Sequence, residues 1–243
     1  MKNYTLKIFS DFDGTISKNE VWIIALGKFI KDKEAFNKIY SDYIEQRITT
    51  RECCTRQLEL MSDFSYEKFN TYLDEEEIDE HFPDFVKFCN EMNYELRVVS
   101  SGLDYYISYI LKNNALDIKT YACKMNYDKI SDKVSCEFEH TDEYCNLCET
   151  CKRNILINTT NDLDDEVSVY IGDGVSDYCV SGHADIVFAK GMLASYCWKN
   201  NITYFDYKNF SDVKNKLIKI AGTNKIRHRQ EAMIRRRDVV MGG

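Results

Sequence analysis

The sequence predicts an α/β protein: a Rossmann-like, doubly wound parallel sheet interrupted by an inserted helical bundle. Three observations carry this. An alternating, β-branched run, "YTLKIFSD", opens the chain and ends at Asp11. Residues 19–77 then show apolar positions at three- and four-residue spacing and no convincing strand, the pattern of helices with one buried face. From residue 78 onward strands and helices alternate, which calls for a parallel sheet covered on both faces.

Taken in order, "VWIIALGKFI", "AFNKIYSDYIEQ", "RECCTRQLELM" and "SYEKFNTYL" read as the helices of the insertion. The acidic run "DEEEIDE" reads as a solvated segment. "FPDFVKFCNEM" is a helix and "YELRVVSS" a strand; "LDYYISYILKNN" is a helix and "LDIKTYAC" a strand. "KISDKVSCEFE" resembles an extended hairpin with a polar turn. "KRNILINTTN" is a short helix and "DEVSVYIGD" a buried strand, after which "VSDYCVSGHA", "DIVFAK", "GMLASYCWKNN", "ITYFDY" and "DVKNKLIKIAG" continue the alternation. The expected organisation is a core of residues 1–16 and 78–222, an insertion at 17–77 and a basic tail at 223–243. The tail contains Glu231 and Asp238, so a solvated or docked helix is expected there rather than an anion-binding arm.

Composition narrows the function. With 243 residues, 44% of them hydrophobic, the chain can bury a sizeable core. A net charge of −8 argues against a general affinity for nucleic acid or anionic membrane. "VWIIALGKFI" is too short to span a bilayer. No export signal precedes the first acids, so a cytoplasmic location is expected, with the ten cysteines as thiols or metal ligands rather than a disulfide framework. An acidic chain that handles an anionic substrate needs local cations: a metal, lysines or backbone N–H groups.

Three apolar runs end in small or acidic residues: Asp11 and Asp13; Ser100, Ser101 and Gly102; and Gly172, Asp173, Gly174, Ser176 and Asp177. Any one alone is a strand-to-helix turn with Ser or Asp as the cap. In a doubly wound sheet all three converge on one edge, beyond the carboxyl ends of the strands, where ligands bind. Carboxylates gathered there raise one another's pKa unless a cation intervenes. An oxygen-rich set of this kind suits Mg²⁺, which also takes substrate phosphate oxygens. Ser100 with adjoining backbone N–H groups suits a phosphate, and Lys152, opening a helix between the second and third strand ends, supplies a point charge.

In order, "DFDGT", "VVSSG", Lys152 and "GDGVSD" resemble the four signatures of haloacid dehalogenase (HAD) superfamily phosphatases. The helical insertion behind the first signature is similar to the small cap of the phosphoserine phosphatase branch. Within that branch "SSGLDYYI", "CETCKRNIL", "VFAKGMLASYC" and "YKNFSDV" resemble the methionine-salvage phosphatases acting on 2-hydroxy-3-keto-5-methylthiopentenyl-1-phosphate. The resemblance runs to about Ala221. It implies an HAD-like core and Mg²⁺-dependent hydrolysis of a small phosphorylated metabolite, with a cap that limits substrate size and excludes water. It makes Asp11 the nucleophile that becomes an aspartyl-phosphate and Asp13 the acid and base, with the Asp13 backbone carbonyl on the metal. Thr15, Ser100, Ser101 and Lys152 would meet the phosphate, and Asp11, Asp13, Asp173 and Asp177 would hold or support the metal. The second signature reads Ser-Ser-Gly where relatives usually have Ser-Gly-Gly, and Arg153 follows Lys152 where relatives often carry Pro.

Several residues keep two readings. The resemblance implies that Glu20 reads the leaving group, while its position alone makes it a helix-start acid favoured by the helix dipole. Cys53 and Cys54 read as packing residues and His183 as a structural helix-end residue. Cys145, Cys148 and Cys151, with Cys136 and His140 upstream, have a spacing that suits structural Zn²⁺ or an Fe–S cluster; because similar relatives carry cysteines there too, the resemblance implies instead a feature that shapes the loop bearing Lys152. Phosphoserine or another small ester is the alternative substrate. A non-catalytic zinc-binding scaffold is the alternative from a different class.

Overall fold

The computed structural model describes residues 4–223 and 226–242; residues 1–3 and, within the basic tail, Asn224, Lys225 and Gly243 lie outside the described residues. The chain divides into two compact units, one of residues 1–11, 78–99 and 152–243, the other of residues 12–77 and 100–151.

In the first unit, strands β1 (Thr5–Ser10), β5 (Glu166–Gly172), β6 (Ile186–Ala189) and the two-residue β7 (Phe205–Asp206) run parallel, and β2 (Glu95–Leu103) pairs parallel with β1. Leu6, Ile8, Phe9, Val98, Val99, Val167, Val169, Tyr170 and Ile171 are all fully buried, as parallel strands covered on both faces require. Each such side chain contributes about 1.5–3 kcal/mol relative to exposure. Helices α5 (Phe82–Glu91) and α10 (Phe210–Gly222) meet through Phe82, Phe85 and Phe210, with ring centroids 4.7 and 5.1 Å apart. Asp79 ties them together, accepting from the His81 N–H at 2.8 Å and the Phe210 N–H at 3.1 Å.

The second unit holds α1 (Val21–Ile24), α2 (Lys33–Ile44), α3 (Thr50–Glu59), α4 (Tyr66–Leu73), α6 (Asp104–Asn113), β3 (Lys119–Asp128) and β4 (Lys133–Glu137). Their starts are specified locally. Asp32 caps α2, Ser65 caps α4, and Thr49 with Glu52 forms a reciprocal capping box on α3. The aromatic core joins Phe29 to Phe64 and Phe69, and Phe64 to Tyr127, at centroid distances of 5.0, 5.9 and 4.8 Å. "VWIIALGKFI" is not one helix: α1 gives way to a 3₁₀ turn over Leu26–Phe29, and Ile30 forms a bridge to Met61. Pairing Ile30 in extended backbone ends the helical path there.

The strands follow the order β4-β3-β2-β1-β5-β6-β7; β2, β1, β5, β6 and β7 pair in parallel, and β3 and β4 form an antiparallel hairpin. This is a mixed sheet flanked by helices, the doubly wound class the sequence predicts. The order reverses at β1, whose neighbours are β2 and β5.

The basic tail forms α11 (Gln230–Val240), which docks on the first unit through Arg236, 3% exposed. Its guanidinium reaches Asp162 Oδ1 at 2.7 Å and Asp185 Oδ1 at 3.1 Å and donates to the His183 carbonyl at 2.5 Å. Arg229 donates its backbone N–H to Asp185 Oδ1 at 2.9 Å and a guanidinium N–H to the Ser181 carbonyl at 2.7 Å. Arg236→Ala leaves the buried Asp185 and the half-buried Asp162 carboxylates short of a cation and is expected to cost about 3–5 kcal/mol, read as a lower urea midpoint.

His183 follows α8 (Tyr178–Ser181), and its Nδ1 lies 2.9 Å from the Cys179 carbonyl. Burial pulls its pKa down from 6.5 to about 4. The unfolded chain takes the proton near 6.5 and the folded one only near 4, so stability falls as pH drops through that window. His183→Gln is expected to remove a slope amounting to roughly 1–3 kcal/mol between those pH values, measured by urea unfolding at a series of pH values.

Candidate active site

The reversal at β1 sets the position of the first unit's site. Ser10 pairs with Ile171, and the Asp11 N–H donates to the Ile171 carbonyl at 2.9 Å, so the acids that follow β1 and β5 emerge side by side. One ligand atom from each of Asp11, Asp173 and Asp177 lies within 4.8 Å of the others. Lys152 begins α7 (Lys152–Asn158) and is 3% exposed. Its Nζ sits 2.8 Å from Asp11 Oδ1, 2.7 Å from Asp177 Oδ1 and 3.0 Å from Ser176 Oγ.

Asp177 is fully buried, with every oxygen engaged. Oδ1 accepts from Lys152 and from the Tyr170 hydroxyl at 2.5 Å. Oδ2 accepts the Asp173 and Gly174 N–H groups at 2.9 and 3.0 Å. Asp177 therefore clamps both the lysine and the loop that presents Asp173. Gly172 makes this possible: a Cβ there would lie 2.4 Å from Asp177 Oδ2.

Electrostatically the set is unbalanced, three carboxylates against one ammonium. Burial pushes the Asp11 carboxyl well above its ordinary range, repulsion from Asp177 adds to this, and Lys152 opposes it. For Lys152, burial alone would lower the pKa, but Asp11 and Asp177 outweigh it and raise it. A hard dication matches this oxygen donor set and its excess negative charge.

The second unit presents the other candidates. Asp13 is half-buried; its Oδ2 accepts from the Tyr106 hydroxyl at 2.5 Å and its Oδ1 from the Trp22 N–H at 3.4 Å. Thr15 is buried in a turn whose N–H groups, from Thr15 through Ser17, converge on the Phe12 carbonyl. Ser100 is buried, its Oγ accepting the Gly102 N–H at 2.9 Å, and Ser101 is half-buried. Glu20 is exposed at the cap position of α1 and makes no side-chain cap hydrogen bond.

Among the described residues, two sets of three His, Cys, Asp or Glu side chains place ligand atoms within 4.8 Å of one another, and neither contains a cysteine. Cys145, Cys148 and Cys151 are thus not brought to common ligand distance. Elsewhere in the second unit Cys54 on α3 and Cys136 on β4 place their sulfurs 3.4 Å apart. The second set, Asp162, Asp185 and His228, already has its cation in the Arg236 guanidinium. Tyr170, Tyr106 and Trp22 were not anticipated. For Tyr170 a signal exists, since a hydroxyl inside the buried strand "VSVYIG" must find a partner.

The family model of haloacid dehalogenase-like hydrolases matches residues 8–181, and the chain belongs to that family. Among its relatives is a 2-hydroxy-3-keto-5-methylthiopentenyl-1-phosphate phosphatase of Bacillus cereus (strain AH820), 28% identical over 220 residues, covering 88% of this chain and 96% of that protein. A protein of the same name from Bacillus anthracis (strain A0248) matches equally, at 28% over the same shares. Among solved structures, a substrate-bound phosphoserine phosphatase superposes with a TM-score of 0.66 at 22% identity, over 89% of this chain and 99% of that one. A phospho-aspartyl intermediate analogue of phosphoserine phosphatase gives 0.64 at 24%, over 86% and 95%. The fold is thus of the phosphoserine phosphatase type, an HAD-like core with an inserted helical cap.

Gly172→Ala is expected to cost about 1–3 kcal/mol because Asp177 has no room to retreat. Gly174→Ala, where a Cβ meets nothing within 4 Å, is expected to change stability by less than about 0.5 kcal/mol. Urea unfolding of the two variants side by side checks the contrast.

Proposed function

We propose that this protein is an Mg²⁺-dependent phosphatase that hydrolyses a small phosphorylated metabolite through an aspartyl-phosphate on Asp11. The observation that carries the proposal is the buried Asp11 carboxylate, 2.8 Å from the Lys152 ammonium and grouped with Asp173 and Asp177 at the switch in strand order. Membership of the hydrolase family supports the reaction type.

In this reading an Asp11 oxygen attacks phosphorus, the bond to the leaving oxygen breaks, and Asp13 gives that oxygen its proton. Asp13, now a carboxylate, takes a proton from water as the water attacks the phosphorus; the bond to Asp11 breaks and inorganic phosphate leaves. The chain keeps Asp11 and Asp13 within about 7 Å of each other at Cα, so one phosphoryl group can meet both. Lys152 offsets charge on the phosphoryl oxygens, and Ser100, Ser101 and Thr15 offer hydroxyls or N–H groups to them. Asp11, the Asp13 carbonyl and Asp173 would hold Mg²⁺, with Asp177 in support through the loop it clamps. The ion supplies a positive charge that draws phosphate oxygens into place. Spontaneous phosphate monoester hydrolysis is slow enough that enhancements approach roughly 10²¹, which single hydrogen bonds worth a few kcal/mol do not reach. A full constellation is therefore needed.

For the substrate we favour 2-hydroxy-3-keto-5-methylthiopentenyl-1-phosphate, on which relatives matching 88% of this chain are named to act. The likeness to phosphoserine phosphatases makes phosphoserine the second candidate. Residues 17–77 would serve as the cap, with Glu20 at its entrance meeting the leaving group.

Asp11→Asn is expected to lower turnover of a generic aryl phosphate by at least about 10³-fold while leaving the thermal transition intact. Chelation of divalent cations is expected to abolish wild-type activity and added Mg²⁺ to restore it. Activity that survives either treatment overturns the mechanism. Comparison of kcat/KM across methylthiopentenyl phosphate, phosphoserine and other small esters decides the substrate.

A further inference from the structure

A carboxyl group that hands a proton to a leaving oxygen must be held within hydrogen-bond reach of it, about 2.6–3.2 Å. An aspartate has two rotatable side-chain bonds, so something must fix Asp13. The Tyr106 hydroxyl donates to Asp13 Oδ2 at 2.5 Å, while the Trp22 N–H reaches Oδ1 only at 3.4 Å. Tyr106 is fully buried on α6, and its ring lies beside Phe12, the residue preceding Asp13, at a centroid distance of 6.1 Å. Its orientation is therefore set by packing.

Gly102 makes room for this bond. A Cβ on residue 102 would lie 1.7 Å from the Tyr106 hydroxyl oxygen, 2.6 Å from its Cζ and 2.9 Å from Asp13 Oδ2. The same glycine donates its N–H to Ser100 Oγ at 2.9 Å. One position without a side chain thus serves both the serine that would meet the phosphate and the hydroxyl that holds the acid. This accounts for a glycine at 102 even though serine occupies 101.

We infer that Tyr106 is the positioning residue of Asp13, aligning its carboxyl for proton transfer to the leaving oxygen, and that Gly102 is glycine to admit the Tyr106 hydroxyl. The inference rests on the reading of Asp13 as acid and base. A hydroxyl rotor suits the task, because its O–H points at the carboxyl before and after the proton has moved. It also makes the chain more dependent on Tyr106 the worse the leaving group is. An alkoxide needs its proton as it departs, whereas an acidic phenol leaves without one.

The test compares kcat/KM for an alkyl phosphate and for 2,4-dinitrophenyl phosphate in the Mg²⁺-loaded full chain. Tyr106→Phe keeps the ring and deletes the hydroxyl. The expected result is a loss of about 10–100-fold on the alkyl ester, part of the 10²–10⁴-fold that a general acid supplies, and less than about threefold on the dinitrophenyl ester. Gly102→Ala, which displaces the hydroxyl, is expected to give the same selective loss. Tyr109→Phe on the same helix, whose hydroxyl bonds Asp74, is expected to change neither value. Equal losses on both esters, or none on either, overturn the inference when Asp13→Asn is itself selective against the alkyl ester. An Asp13→Asn variant without that selectivity overturns the reading of Asp13 as the acid, and the inference with it.

Discussion

The buried Lys152 ammonium, held between Asp11 and Asp177, is the interaction on which the first unit's site depends. Removing charges from water costs several kcal/mol per ion even after relaxation. The cost is met here by completeness: Lys152 has two carboxylates and the Ser176 hydroxyl, and Asp177 has Lys152, Tyr170 and two backbone N–H groups. Asp11 is the exception. Its carboxyl is buried, shares Lys152 with Asp177 and is repelled by Asp177, so its pKa is driven up. A dication or a bound phosphoryl group with its metal would relieve that imbalance, which is why the set suits phosphate chemistry better than a purely structural role.

The two edges of the first unit's sheet solve the same electrostatic problem differently. At the carboxyl ends of β1 and β5, acids gather with too little positive charge. At the amino ends of β5 and β6, Asp162 and Asp185 gather too, but the Arg236 guanidinium of the tail bridges both and Arg229 donates its backbone N–H to Asp185. The basic tail is thus a counterion for the fold. Ligands in open α/β sheets bind beyond the carboxyl ends of strands, and at that edge three carboxylates stand against one ammonium among the described residues.

Much of this was legible beforehand, for a specific reason. Asp11 and Asp173 stand where apolar runs stop, which marks the end of a strand, and Lys152 opens a short helix between them in the chain. Doubly wound topology then brings those ends together. The limits were equally specific. Asp177 joins Asp11 and Asp173 in the acidic set, but the four donors by which it also clamps Lys152 and the Asp173 loop leave no mark along the chain. The approach of the Cys54 and Cys136 sulfurs to 3.4 Å joins positions 82 residues apart, which no spacing motif marks. The apolar spacing of "VWIIALGKFI" predicts a single helix across Gly27, where the backbone turns into a 3₁₀ segment toward the Ile30–Met61 bridge.

The amino-acid sequence by itself determined the layered α/β class, the helical insertion and the acids at the strand ends, because these follow from local periodicity and from where it breaks. Which hydroxyl holds which carboxylate was decided only by the tertiary structure. Tyr106 lies 93 residues from Asp13, and Tyr170 faces Asp177 only because Gly172 between them carries no side chain. Such contacts depend on clearances of about an ångström between packed elements, and no pattern along the chain encodes them.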